Sequence, residues 1–171
     1  PLGAGAEPPR AMLEASIRPE AALEQQGYQP YRDIQRIALA RVAREFGLTV
    51  SEHQQDLLST SLPRWPVFAD TTDAIHRLGS RFKLGIVSNI DRDLFDATAE
   101  RLGVRFDQVI TAEDVRAYKP AHPPFLQIIE QVGDRSRMLH VAQSLYHDGG
   151  LARELGIRFA WINRYGGSAG D

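Results

Sequence analysis

In YRDIQRIALARVAREFG, Ile34, Ile37, Ala38, Val42 and Phe46 fall on one face of a 3.6-residue repeat, and Gly47 supplies a stop. Ser51 stands three residues before Gln54, the spacing of a capping box, with Leu57, Leu58 and Leu62 behind it. The pattern therefore predicts helices from Arg10 to about Leu62. They end at LPRWP, because neither Pro63 nor Pro66 can continue a helix. Beyond Pro66 the period changes. Short apolar runs, FKLGIVS, FDQVIT, MLHVA and IRFAWI, alternate with helical segments at about Thr71 to Leu78, from Asp91 through Leu102, through Phe125, Ile128, Ile129 and Val132, and at Leu151 to Leu155. Strands that are apolar throughout and separated by helices predict a parallel α/β sheet covered on both faces. Two units follow. Residues 1–65 form a Gly-, Ala- and Pro-rich lead-in (PLGAGAEPP) plus a helical unit, and residues 66–171 form the α/β core.

Composition narrows this only by exclusion. A chain of 171 residues with 43% hydrophobic and 25% charged residues and a net charge of −2 has the makeup of a soluble globular protein, not of a nucleic-acid-coating one. It has no cysteine, so disulfides and thiolate metal sites are excluded and a cytoplasmic location is expected. No apolar run reaches membrane-spanning length, and no leader is readable at Pro1.

In open parallel sheets the ligand crevice lies beyond the carboxyl ends of the strands. The polar residues there are Ser88 and Asn89, the loop from Thr111 to Lys119, and Gln143, Ser144 and Asp148. Ser88 and Asn89 offer a hydroxyl and an amide to an anion; the bland alternative is a capped turn. Lys119 precedes Pro120, which biases it to extended backbone and projects its ammonium from the loop. Asp91 and Asp93 read as first-turn acids that satisfy the free amides of their own helix. His140 and His147, seven apart across a strand and its loop, read as a packed strand histidine and a loop histidine, not as a metal pair.

Three motifs stand in order at these strand ends: IVSN at 86–89, AYKPA at 117–121 and HVAQSLYHD at 140–148. Together they resemble the second to fourth motifs of the haloacid dehalogenase superfamily. YQPYRD, SNIDRDLF and WINR are most similar to its L-2-haloacid dehalogenase-like branch. The resemblance implies a Rossmann-like parallel-sheet core with a helical cap formed by the first unit. It implies a hydrolase working through an aspartyl ester on a small carboxylate substrate, with no nucleic-acid or membrane partner and with a homodimer allowed. Lys119 and Asp148 would be catalytic, Ser88 and Asn89 would bind substrate, and Gln143 and Ser144 would support the loop. Arg32 matches the family's cap arginine too loosely to carry that role over.

The family's nucleophile, an aspartate in a DxxGT-type motif on the first core strand, has no counterpart here. FADTTD lacks the glycine, and Asp70 reads as a helix cap. The expectation is a chain without its first core strand, with the nucleophile lying upstream of Pro1. Loss of that strand leaves a gap in the sheet with unpaired backbone edges. In the superfamily's phosphatases GDS helps hold magnesium. Here the stretch reads AQS, so Gln143 offers a neutral amide where the hard cation favours an anionic oxygen. No cofactor is expected, with Mg2+ as the alternative. The competing functions are a magnesium-dependent phosphatase and an inactive binding domain.

Overall fold

The structure, a computed structural model, describes Ala15, residues 19–164 and Gly166. The PLGAGAEPP lead-in lies outside the described residues. Residues 19–24 are helical, and α1 (Tyr31–Glu45) follows Pro30. Its predicted face is the one that packs. Ile34, Ala38 and Val42 are buried, while Phe46, just past the end, stays exposed. The Ser51 capping box forms with Gln54, but it opens a 3-10 turn, Glu52–Gln54, and the helix proper is the shorter α2 (Leu57–Ser61). A second 3-10 turn, Leu62–Arg64, contains Pro63 and closes the helical unit.

The α/β alternation runs α3 (Thr71–Gly79), β1 (Gly85–Ser88), α4 (Arg92–Leu102), β2 (Gln108–Thr111), α5 (Ala112–Val115), α6 (Pro123–Val132), β3 (Leu139–Ala142), α7 (Gly150–Glu154) and β4 (Arg158–Trp161). Asp70 occupies the cap position of α3, but its carboxylate pairs with Arg164 and not with the helix amides. Every strand pairing is parallel, as the pattern predicts. β1 pairs with β2, with Ser88 opposite Thr111, and β3 pairs with β4, with His140 opposite Phe159. Among the described residues these are two separate two-stranded sheets. The expectation of a sheet covered on both faces is corrected at β3. Leu139 and Val141 are 58% and 47% exposed, while their alternates His140 and Ala142 face inward, as a period of two requires.

Two apolar clusters hold the parts together. Leu23, Ile34, Ala112 and Tyr118, with Tyr28, Tyr31 and Ile37 against them, join the helical unit to the loop after β2. Phe125, Leu151, Ala152 and Ile157 form the other, and Val87 of β1 and Phe159 of β4 both pack on it. One cluster thus touches both two-stranded sheets, with α6 lying against β1 and β2. No helix among the described residues is long and apolar enough to cross a membrane.

Candidate active site

Lys119 Nζ donates to the Val87 carbonyl oxygen of β1 at 2.9 Å and to Asp148 Oδ1 at 2.7 Å. His140 Nε2, on β3, lies 2.8 Å from the same Asp148 oxygen. This chain of contacts bridges the two two-stranded sheets. The lysine and aspartate side chains are 11% and 6% exposed, so the pair is largely desolvated and each charge depends on the other. Burial alone would raise the Asp148 carboxyl. The hydrogen bond from His140 and the ammonium of Lys119 more than offset it and hold the group below the ordinary carboxylate range.

Local chemistry explains how each group is presented. Asn89, just past β1, brackets the backbone of Lys119: its Oδ1 accepts from Lys119 N at 2.7 Å and its Nδ2 donates to Lys119 O at 3.1 Å. The same amide nitrogen reaches Glu24 Oε2 at 3.2 Å. Both ends of the Asn89 amide are therefore engaged in holding the lysine loop, where the sequence suggested contact with a substrate. The Lys119–Pro120 peptide is cis. Ser88 is half-buried at the end of β1, and its hydroxyl has no partner among the described residues. Ser144 accepts from His147 N at 3.0 Å and caps the π-helical turn Leu145–Gly149 that carries Asp148. The backbone oxygen of Gln143 accepts from Trp161 Nε1, and its side chain is exposed. A cavity of about 570 Å³ opens over Lys119 and is walled by Glu24, Tyr28, Arg116, Tyr118, Tyr146 and His147.

Asp93 stands in the first turn of α4, as the sequence suggested, with Arg32, then backbone amides of that turn, holding its carboxyl low, whereas Asp91 does a different job. Asp91 is buried at the cap position of α4 but makes no side-chain bond to that helix. Its Oδ1 accepts from Tyr31 N at 2.7 Å, and its Oδ2 accepts from Arg32 N and Arg32 Nε, each at 3.1 Å. Asp91 thus satisfies the first free amides of α1, a helix 60 residues away in sequence whose own cap position is Pro30. Asp93 takes the other arm of Arg32 at 2.6 and 2.7 Å. Arg32 serves this seam through its Nε and Nη2.

The sequence reading had His140 as a packed strand histidine, which its contacts with Phe125 and Phe159 match, but missed its bond to Asp148, and it missed Glu24 altogether. For His140 a signal existed: one polar residue inside an apolar strand, eight positions before an acid. Glu24 had none, because only tertiary packing brings its helix over the lysine loop.

Among the described residues the donors beside Lys119 are few and already engaged. Asp148 is the one carboxylate among the described residues that pairs with Lys119, its Oδ1 already carries an ammonium and an imidazole, and Gln143 offers a neutral amide, a weaker donor for a hard cation than a carboxylate.

A family model of haloacid dehalogenase-like hydrolases matches residues 11–156. The chain belongs to this family. Two relatives described as (S)-2-haloacid dehalogenases, from Pseudomonas putida and Pseudomonas fluorescens, are 29% and 28% identical over 135 residues, which is 77% of this chain. The chain spans 59% of the length of each. Among solved structures, the L-2-haloacid dehalogenase of Xanthobacter autotrophicus with chloropropionic acid covalently bound superposes with a TM-score of 0.80 at 22% identity. That match covers 90% of this chain and 65% of that one. A dehalogenase with an intermediate complex gives 0.82 at 19% identity, covering 97% and 76%. These likenesses place the described residues in the Rossmann-like fold of the dehalogenases.

Proposed function

We propose that this chain carries the cap and most of the core of a 2-haloacid dehalogenase-like hydrolase acting on a small halogenated carboxylate in the cytoplasm. The observation that carries the proposal is the buried Lys119–Asp148 pair bridging β1 and β3. The nucleophile is an aspartate from outside these 171 residues, on a strand seated between β1 and β3. No second aspartate among the described residues reaches Lys119, and the two-stranded sheets meet there only through side chains.

The chemistry has two stages. An oxygen of the nucleophilic carboxylate attacks the halogen-bearing carbon, the carbon–halogen bond breaks, and halide leaves with the electron pair. Water then attacks the ester carbonyl, its proton passing to Asp148, and the hydroxy acid leaves as the nucleophile is regenerated. Lys119 stabilises negative charge at the attacking carboxylate and in the tetrahedral intermediate. The hydroxyl of Ser88, without a partner among the described residues, binds the carboxylate or halide, Asn89 holds the lysine loop, and Gln143 and Ser144 shape the turn bearing Asp148.

The full-length protein should release chloride from 2-chloropropionate with chelator present, and this chain by itself should release none. Magnesium-dependent phosphate release without dehalogenation would assign the phosphatase function instead, and neither activity would leave a binding domain.

A further inference from the structure

We propose that His140 is a positioning residue: it pins Asp148 Oδ1 so that Oδ2 is left to take the proton of the hydrolytic water. The inference rests on the aspartyl-ester reading for the identity of that water, but the geometry stands by itself. Asp148 Oδ1 receives both donors, His140 Nε2 at 2.8 Å and Lys119 Nζ at 2.7 Å. Oδ2 receives none from the described residues, and it is not among the unpartnered atoms closed off from solvent. A carboxylate so held has one oxygen that takes both donors and one that takes none among the described residues.

The slot His140 fills does not need a histidine for packing. Its ring meets Phe125 edge-on at 4.8 Å and stacks on Phe159 at 6.0 Å, and the side chain is 16% exposed. A phenyl ring would suit those neighbours as well, and a polar ring placed there is costly unless it is hydrogen-bonded. Donation from Nε2 to the carboxylate fixes the tautomer, and the two aromatic neighbours fix the ring plane. The imidazole therefore sets the rotation of Asp148 about its last side-chain bond. In the hydrolytic step a water O–H bond breaks, its proton goes to Oδ2, and the water oxygen bonds to the ester carbonyl carbon. Asp148 must be anionic and correctly turned for this, and His140 serves both needs.

The test reads Asp148 directly and needs no turnover. With aspartate carboxyls labelled with carbon-13, the Asp148 titration is followed by NMR in this chain and in H140F and H140Q. Wild type should titrate below the ordinary carboxylate value. H140F should titrate roughly one pH unit higher, the loss of about one hydrogen bond to a charged group, and H140Q, which keeps a donor, should fall between. An unchanged Asp148 titration in H140F overturns the proposal. If H140F does not fold, H140M replaces it as the apolar occupant in the comparison with H140Q. In the full-length enzyme, H140F should lower kcat for 2-chloropropionate about tenfold and leave KM within about twofold, since the imidazole does not touch substrate. A raised KM with unchanged kcat also overturns the proposal. If the full-length protein releases no halide, the function reading falls while the NMR result still decides the role of His140.

Discussion

Asp91 and Asp148 are equally hidden, 3% and 4% exposed, yet they are built for opposite ends. Both oxygens of Asp91 are engaged, one by a backbone amide and the other by an amide and a guanidinium of the same helical turn. Asp148 receives its two donors on a single oxygen. Burial does not separate the acid that holds a structure together from the acid proposed for chemistry. The oxygen without a donor among the described residues does.

The largest effect expected from breaking this comparison is at Lys119. Lys119→Met removes the countercharge from a buried carboxylate and should cost about 3 to 4 kcal/mol of stability near pH 7, measured by urea unfolding. The sign with pH follows from the direction of the Asp148 shift. A group held below its ordinary value contributes stability that is present above the unfolded pKa and lost as pH falls through the folded one. The gap between wild type and the variant should therefore close as pH drops below about 4. A gap that is constant with pH would mean that the loss comes from packing.

Asp91→Ala should come next, at about 2 to 3 kcal/mol, since it uncaps α1 and strips a charged hydrogen bond from Arg32. Asp93→Ala, at the exposed end of the same fork, should cost under about 0.5 kcal/mol. Equal losses at the two positions would dissolve the contrast between seam and surface.

Glu20 sharpens the comparison from the other side, as a half-buried acid with no cation paired to it among the described residues. Burial first, then the neighbouring Glu24, push its carboxyl up to about 7, against a hydrogen bond from Tyr31. Its folded pKa lies above its unfolded one, so the folded state holds the extra proton and stability falls as pH rises from about 4.5 to 7. The drop should be on the order of 2 kcal/mol. Glu20→Gln should flatten that limb of the stability curve and leave the acid limb governed by Asp148 in place.

What could be read from the sequence divides along the same line. The strands and their parallel sense follow from apolar periodicity, and strand-end placement points to the loops that hold Lys119 and Asp148, while the choice of those two as catalytic rests on the family resemblance. Asp91 looked like the cap of its own helix because sequence shows only the nearest amides; the ones it serves belong to Tyr31 and Arg32. The Asn89 bracket on Lys119 and the reach of Glu24 are likewise tertiary. The inward face of β3 was foreseeable from its period of two, but the exposure of Leu139 and Val141 was not, because it depends on what lies beside the strand.

Ser88 gives the smallest effect on stability and a clean separation of binding from capping. Its hydroxyl has no partner among the described residues, whereas Asn89 beside it makes three hydrogen bonds. Ser88→Ala should change stability by less than about 0.5 kcal/mol. Asn89→Ala should cost about 1 to 2 kcal/mol, because the backbone groups of Lys119 lose their bracket. In the full-length enzyme the order should invert for substrate affinity: Ser88→Ala should raise KM for 2-chloropropionate about tenfold, the worth of one hydrogen bond to a charged group. Asn89→Ala should act mainly on kcat through a displaced lysine. A Ser88→Ala variant that loses stability without a change in KM would make the hydroxyl a turn cap, and the anion would then have to be held by the loop around Lys119.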